Sequence, residues 1–361
     1  MEYPFQIFRQ EIKTLQPRVD GWRHSDTKDR LMIRFSVLGC GRIGTMHARN
    51  LARHPKARLT SVFDVFTKAS DAMAAELGVK AAASIDEVLA DPEVDAVLIA
   101  TSTDTHVDLI TAAAKAGKAI LCEKPIALDI AKVEQCWTEI SGLGATVMIG
   151  FNRRFDPSFR AVHDRLTAGE IGRLEQIVIT SRDPAPPPIS YINVSGGLFR
   201  DMTIHDFDLA RYFAGDIVSV HAFGANLVDP AIAAAGDIDA AMVTLKAASG
   251  ALIHINNSRR CSYGYDQRLE VFGEKGMLLA GNKTATTVQA FSAAGTAQGD
   301  VVLPFFIERY ADAYANEVAH FVESVAAGTT PLTSFKDGAE ALRLADAAIE
   351  SLKTGRAVPV G

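Results

Sequence analysis

The sequence predicts an α/β protein in two parts: an N-terminal doubly wound parallel sheet and a C-terminal α+β domain built on a large, mainly antiparallel open sheet. Three observations carry this. From Ile33 to Gly150 short apolar strands alternate with helical segments. A glycine-rich turn, Gly39-Cys40-Gly41-Arg42-Ile43-Gly44, directly follows the first of those strands. Beyond Gly150 the strands lengthen and alternate apolar with polar residues. Continuous apolar strands mark a sheet covered on both faces, whereas alternating ones mark a sheet with one face open or paired. With 361 residues and 48% hydrophobic content the chain can bury two cores.

Residues 1–31 are polar and charged with little periodicity, and they end just before a second methionine, Met32. They read as a loosely attached extension, with a short helix docked through Phe5, Ile7, Phe8 and Leu15 as the alternative. Strands are expected at 33–38, 59–63, 96–100, 119–121 and 146–149. Between them Ala69, Met73 and Leu77 recur at helical spacing, and Ser84 with Glu87 forms a capping-box start. This first part spans 32–150. In the second part, 151–361, alternating strands are expected at 175–180, 240–245, 251–256 and 268–272. The prolines from Pro184 to Pro188 require a loop, and two helices close the chain at 308–326 and 336–353.

Bulk composition excludes several classes. Lys and Arg (37) are outnumbered by Asp and Glu (43), for a net charge of -6, so there is no basic surplus for a nucleic-acid backbone. No apolar run reaches the ~20 residues of a spanning helix, and no signal-peptide block opens the chain, which points away from membranes and towards the cytoplasm. Cys40, Cys122, Cys136 and Cys261 are far apart, without metal-binding spacing, and read as reduced thiols; no metal is expected.

The glycine turn has the spacing of a dinucleotide site. Gly39 makes the turn, Gly41 lets the backbone approach a pyrophosphate, and Gly44 allows close helix packing, while Arg42 and Ile43 open a helix whose N-terminus favours the anion. Asp64, twenty residues past Gly44 at the end of the second strand, is placed to accept the adenosine ribose hydroxyls. Its charge would repel a 2'-phosphate, so NAD is expected rather than NADP, with Lys68 the one feature against. A helix cap is the alternative role for Asp64.

The next strand ends run into polar segments at the carboxyl edge, where such sheets bind ligands. Thr101, Thr103 and His106 are expected to line the nicotinamide side, with an N-cap cluster as the alternative. Glu123-Lys124-Pro125 brings a cation to the same edge, held towards the cleft by the neighbouring carboxylate and proline. In the second part Asp201 and His205 are four apart. On one helix face the carboxylate would orient the imidazole, the side chain best suited to exchange a proton near neutrality; a surface contact is the alternative.

Gly39 to Gly44, Glu123-Lys124-Pro125, Gly150 to Asp156 and Gly196 to Asp208 together resemble the Gfo/Idh/MocA oxidoreductase family over about residues 33–358. Asn152-Arg153-Arg154-Phe155-Asp156, Ser195 to Asp201, Tyr263-Gly264-Tyr265-Asp266 and Phe305 to Tyr310 are most similar to its bacterial inositol 2-dehydrogenase branch. The resemblance implies a Rossmann domain binding NAD, with Glu123 at the cofactor edge, followed by a substrate-binding and oligomerisation domain. It implies catalysis by Lys124, Asp201 and His205, and substrate contacts from Asn152, Arg153 and either Tyr263 or Tyr265, with Asp183 a further candidate. Two residues apart, the tyrosines would share one strand face, so the sequence does not choose between them. The implied reaction is NAD-dependent oxidation of the myo-inositol C2 hydroxyl to an inosose, in inositol catabolism, by a homotetramer. Alternatives are another inositol isomer or a pyranose, a catalytically silent NAD-binding sensor, or a redox-assisted glycosidase. Asn152 stands where some inositol dehydrogenases have Met, and the N-terminal extension lies outside the family pattern.

Overall fold

The structure is a computed structural model describing residues 32–360; the expectation for residues 1–31 lies outside it. In chain order the first part comprises β1 (Ile33–Leu38), α1 (Arg42–Arg53), β2 (Ala57–Phe63), α2 (Thr67–Leu77), β3 (Lys80–Ala81), α3 (Ile85–Ala90), β4 (Ala96–Ile99), α4 (His106–Lys115), β5 (Ala119–Glu123), α5 (Ile130–Ile140) and β6 (Val147–Gly150). The strands form one sheet in the order β3-β2-β1-β4-β5-β6, parallel throughout. Its continuous apolar strands are buried as expected: Val37 and Leu38 pair with Leu98 and Ile99, and all four are fully enclosed. The order reverses between β1 and β4, opening a crevice at the carboxyl edge. The strand β3, only two residues long, has no sequence signal. At α3 the Ser84 hydroxyl caps the Glu87 amide, but the Glu87 carboxylate reaches the Ala83 amide rather than that of Ser84.

The second part contains α6 (Pro157–Thr167), β7 (Leu174–Arg182), α7 (Ile189–Ser195), α8 (Ile204–Ala214), β8 (Ile217–Ala225), α9 (Pro230–Ala234), β9 (Ala240–Ala247), β10 (Leu252–Ser258), β11 (Asp266–Gly273), β12 (Gly276–Ala280), β13 (Gln289–Ser292), β14 (Gly295–Gly299), α10 (Phe306–Arg309), α11 (Ala311–Ala327), α12 (Phe335–Thr354) and β15 (Val358–Pro359). Seven strands make the sheet β12-β11-β7-β10-β9-β8-β15, antiparallel except for the β7/β10 pair. Alternation sets its two faces. In β9, Ala241, Val243, Leu245 and Ala247 are buried under the helices, while Met242 faces out. The outer face leaves Val178, Phe223, Met242, Leu252, Phe272 and Leu279 exposed.

Two findings depart from the sequence reading. The proline loop leads into a helix, α7, and a π turn at Phe199–Thr203 precedes α8. The C-terminal helices also return to the first sheet. Val318, Phe321 and Val322 of α11 share a core with Phe35, Leu98 and Met148, and Phe35 meets Phe321 edge-on at 6.0 Å. On α12, Phe335, Ala341 and Leu342 cover the other side of that sheet, while Leu344, Ala345 and Ala348 belong to the core of the second.

Buried charge fixes this junction. Arg154 donates to both oxygens of Asp208 (2.6 and 2.9 Å) and to Asp337 of α12 (3.0 Å), and Arg309 bonds Asp156 at 2.6 Å. The other oxygen of Asp156 caps α6 through the Ser158 and Phe159 amides. Removing one member of such a pair leaves an uncompensated buried charge. Arg154→Met is therefore expected to cost about 3–5 kcal/mol of stability, read as a lowered midpoint of urea unfolding.

Candidate active site

A cavity of about 1730 Å³ lies between the carboxyl edge of the first sheet and the second domain. The glycine turn forms one end. Gly39 adopts φ +98°, and a Cβ there would lie 2.4 Å from the Ala100 carbonyl oxygen; at Gly44 a Cβ would stand 1.8 Å from the Gly39 oxygen. These two glycines are required by the protein's own packing. At Gly41 a Cβ would meet nothing within 4 Å, and no side chain caps the helix that begins after it. Open space before uncapped amides suits a pyrophosphate, so the residues present fit a dinucleotide. Arg42 and Ile43 line the cavity beside it.

Asp64 accepts the Cys40 amide at 2.6 Å and the Phe66 amide at 2.8 Å, stitching the end of β2 to the glycine turn. Thr101 and Thr103 line the cavity, and the Thr101 hydroxyl bonds that of Thr105 at 2.7 Å. His106 is buried between two carbonyl oxygens, those of Pro125 (2.8 Å) and Thr101 (3.2 Å), and burial lowers its pKa. It ties the two edge loops together.

Lys124 precedes a cis proline and donates to the Asp201 carbonyl at 2.7 Å, with an Asp201 carboxylate oxygen 3.6 Å away. This corrects the expectation that the Glu123 carboxylate holds Lys124 towards the cleft; Glu123 still lines the cavity. That carboxylate turns from its neighbour and accepts His47 Nε2 at 2.9 Å, so the ammonium is held across the cleft instead.

The geometry also corrects the pairing of Asp201 with His205. The Asp201 carboxylate accepts the Tyr191 hydroxyl at 2.9 Å and faces both terminal nitrogens of Arg259 at 3.5 Å, while His205 Nδ1 is buried with no hydrogen-bond partner among the described residues. Asp201 lies within the π turn, whose wider i to i+5 winding does not stack residues four apart. Three cationic or hydroxyl donors claim its carboxylate. His205 instead packs edge-on against Phe151, with ring centroids 6.2 Å apart. Burial, then the charges of Lys124 and Arg153, hold the imidazole well below its ordinary pKa, so it is neutral at physiological pH.

Lys124, Asp201 and His205 line the one cavity with Asn152, Arg153, Asp183 and Tyr265. Asn152 is buried with an unpartnered Nδ2. Arg153 is anchored by Asp206 (2.5 Å) and Ser181 (2.9 Å). Burial, only partly offset by Arg259, pushes the Asp183 carboxyl up to about 7. Between the two tyrosines the structure chooses. Tyr265 is buried at the cavity wall, whereas Tyr263 is 45% exposed and donates to Asp266 at 2.6 Å, away from the cavity. They do not share a strand face, because both precede β11 in a turn.

Sequence reasoning missed Tyr191, Arg259 and Tyr310. Tyr191 comes from the helix after the prolines, and Arg259 from the end of β10, which reaches the site only because β10 runs parallel beside β7. No local pattern announces either. Tyr310 lies in the Phe305 to Tyr310 segment, whose ring stands 5.7 Å from the Arg153 guanidinium.

Two glycine substitutions separate packing from binding. Gly44→Ala is expected to lower the thermal midpoint sharply, because its methyl has no room. Gly41→Ala is expected to keep the midpoint while weakening NAD binding at least tenfold, or about 1.4 kcal/mol, by calorimetry.

The comparisons agree with this geometry. Residues 33–151 match the model of an oxidoreductase family with an NAD-binding Rossmann fold, and residues 159–279 match a GFO/IDH/MocA C-terminal domain. The chain is 46% identical to an inositol 2-dehydrogenase of Rhizobium meliloti, over 91% of this chain and 100% of that protein. It is 48% identical to a myo-inositol 2-dehydrogenase of Thermotoga maritima, over 90% of this chain and 98% of that protein. Among solved structures, scyllo-inositol dehydrogenase from Lactobacillus casei with bound NAD(H) and scyllo-inositol superposes with a TM-score of 0.84 at 30% identity, covering 91% of this chain and 99% of the other. The chain therefore belongs to the Gfo/Idh/MocA family of NAD-binding oxidoreductases.

Proposed function

We propose that the protein oxidises the C2 hydroxyl of myo-inositol to an inosose with NAD. The observation that carries this reading is the convergence of Lys124, Asp201 and His205 on one cavity with the glycine turn. NAD, when bound against that turn, supplies the hydride acceptor. His205, neutral because it is buried beside two cations, takes the hydroxyl proton. Lys124 steadies negative charge on the reacting oxygen, and Asp201 positions Lys124 by its carbonyl and its carboxylate. Tyr191 and Arg259 hold the Asp201 carboxylate for that task.

A substrate with a hydroxyl on every carbon needs many polar partners. Asn152, Arg153, Asp183, Tyr265 and Arg259 supply both donors and acceptors along the wall. Asp64 beside the glycine turn supports NAD over NADP. A relative named for myo-inositol is 48% identical, against 38% for one named for scyllo-inositol, which favours the myo isomer. A role in inositol catabolism follows from the same reaction. The four cysteines are buried and unpaired, in keeping with a cytoplasmic setting.

We further propose a homotetramer assembled through the outer face of the second sheet. Exposed Phe223 and Met242 stand opposite each other there, with Leu252, Phe272 and Leu279 on the same face, and clustered apolar side chains of this kind mark protein contacts. Light scattering should give four times the chain mass, and Met242→Lys should yield smaller species; a wild-type monomer would refute the assembly.

The reaction is tested by NADH formation with NAD or NADP and a panel of myo-, scyllo- and D-chiro-inositol, glucose and xylose. Turnover should be strongest with NAD and myo-inositol. His205→Ala is expected to lower kcat by roughly 10²–10⁴-fold with NAD affinity unchanged. Silence across the panel despite tight NAD binding would move the reading to a sensor or a redox-assisted glycosidase.

A further inference from the structure

Beneath the cofactor cavity, where α1, β5 and α11 meet, three titratable side chains crowd together outside the catalytic trio. His47 is 1% exposed and Glu317 is 0% exposed. One nitrogen or oxygen from each of His47, Glu123 and Glu317 lies within 4.8 Å of the others. His47 Nε2 bonds Glu123 at 2.9 Å, and its ring packs edge-on against Tyr314. Both oxygens of Glu317, and His47 Nδ1, are buried without a hydrogen-bond partner among the described residues. Glu123 itself reaches the cavity wall.

A buried carboxylate with two unsatisfied oxygens is too costly to stand ionised alone. Two ionised carboxylates side by side would be worse. His47 Nε2 is already spent on Glu123, and its Nδ1 meets no partner among the described residues. Either a cation or a proton must balance the cluster. The donor set resembles that of a zinc or manganese site. Ligands of one tetrahedral ion, however, stand about 3.3 Å apart for bonds near 2.0 Å, and His47 and Glu123 are closer and already share a hydrogen. A proton fits better: an un-ionised Glu317 is far cheaper to bury, and it removes one of two charges whose ligand atoms lie within 4.8 Å of each other.

We propose that His47, Glu123 and Glu317 form a proton-binding site under the cofactor cavity, with the proton carried on Glu317 and released to solvent when NAD, with its positively charged nicotinamide, occupies the cavity that Glu123 lines. The exchange balances: one O–H bond of Glu317 breaks, one positive charge arrives with NAD, and the proton leaves. NADH, whose ring is uncharged, draws out none. The groups facing Glu317 are His47 of α1, Glu123 of β5, the Tyr314 phenol on its own helix, and Asp208 of α8, itself paired with Arg154. The resting state stands without any cofactor; only the release rests on NAD occupying the cavity.

Burial, followed by the charges of Glu123 and Asp208, lifts the Glu317 carboxyl well above its ordinary range. A group shifted this way contributes stability that is fully present in acid and is lost as pH climbs through its folded pKa. Gln cannot titrate. The difference in thermal midpoint between Glu317→Gln and wild type should therefore grow in the variant's favour from acid to alkaline pH, with no ligand present. Calorimetry in buffers of different ionisation enthalpy then counts protons. At alkaline pH wild type should release more protons per NAD bound than the variant does, and the two should match for NADH.

Identical pH profiles and proton counts in the two proteins would overturn the proposal. So would one equivalent of zinc or manganese in the purified wild type that is lost in the variant. A failure of NAD to bind at all would strike the cofactor reading and leave the ligand-free comparison to decide. Should Glu317→Gln not fold, infrared difference spectra of wild type with isotope-labelled glutamate separate Glu317 from the aspartates. A protonated-carboxyl band that falls when NAD is added is expected, and its absence overturns the proposal.

Discussion

The contact between Lys124 and Asp201 is the constraint on which the site depends. Lys124 directly follows a strand of the first sheet, and Asp201 sits in the π turn of the second domain. Their bond spans the cleft in two ways, through the Asp201 carbonyl at 2.7 Å and the carboxylate at 3.6 Å. An ammonium at a sheet edge would ordinarily trail into water. Here the main chain and the carboxylate both claim it, so the charge stays over the space that the two domains enclose. The partners of Asp201 follow from the same need. With Tyr191 and Arg259 on its oxygens, the carboxylate remains a fixed acceptor.

Charge arrangement divides the cavity into regions of different character. His205 and Lys124 stand on one side, where burial and positive neighbours keep the imidazole neutral. Asp183 lies where Arg259 only partly offsets its burial. Beneath the opposite wall, Glu123 is turned towards His47 and Glu317 rather than towards the reacting space. Adjacent residues 123 and 124 thus give their charges to different partners, His47 and Asp201, which keeps the carboxylate from neutralising the lysine.

Much of this was legible in the chain because it is local. The order of the first sheet follows from continuous apolar strands and short connections, and the three glycines follow from the turn itself. What failed to show in the sequence depends on departures from regular geometry or on distant contacts. Spacing four apart suggested that Asp201 serves His205, but a π turn changes which residues stack. Two tyrosines two apart suggested one strand face, but they lie in a turn and point in different directions. Tyr191, Arg259 and Glu317 come from elements brought to the site by chain crossings that no window of sequence contains.

The return of the last helices to the first sheet has a consequence for how the molecule is made. Phe35, Leu98 and Met148 are translated early, yet Val318, Phe321 and Val322, which enclose them, emerge from the ribosome at least 170 residues later. Until then the nascent sheet carries an open apolar flank, and chaperones or its own loose collapse must shield it. The cofactor-binding half is thus not a freestanding module that matures first; it is completed only when synthesis is nearly over, together with the pocket it serves.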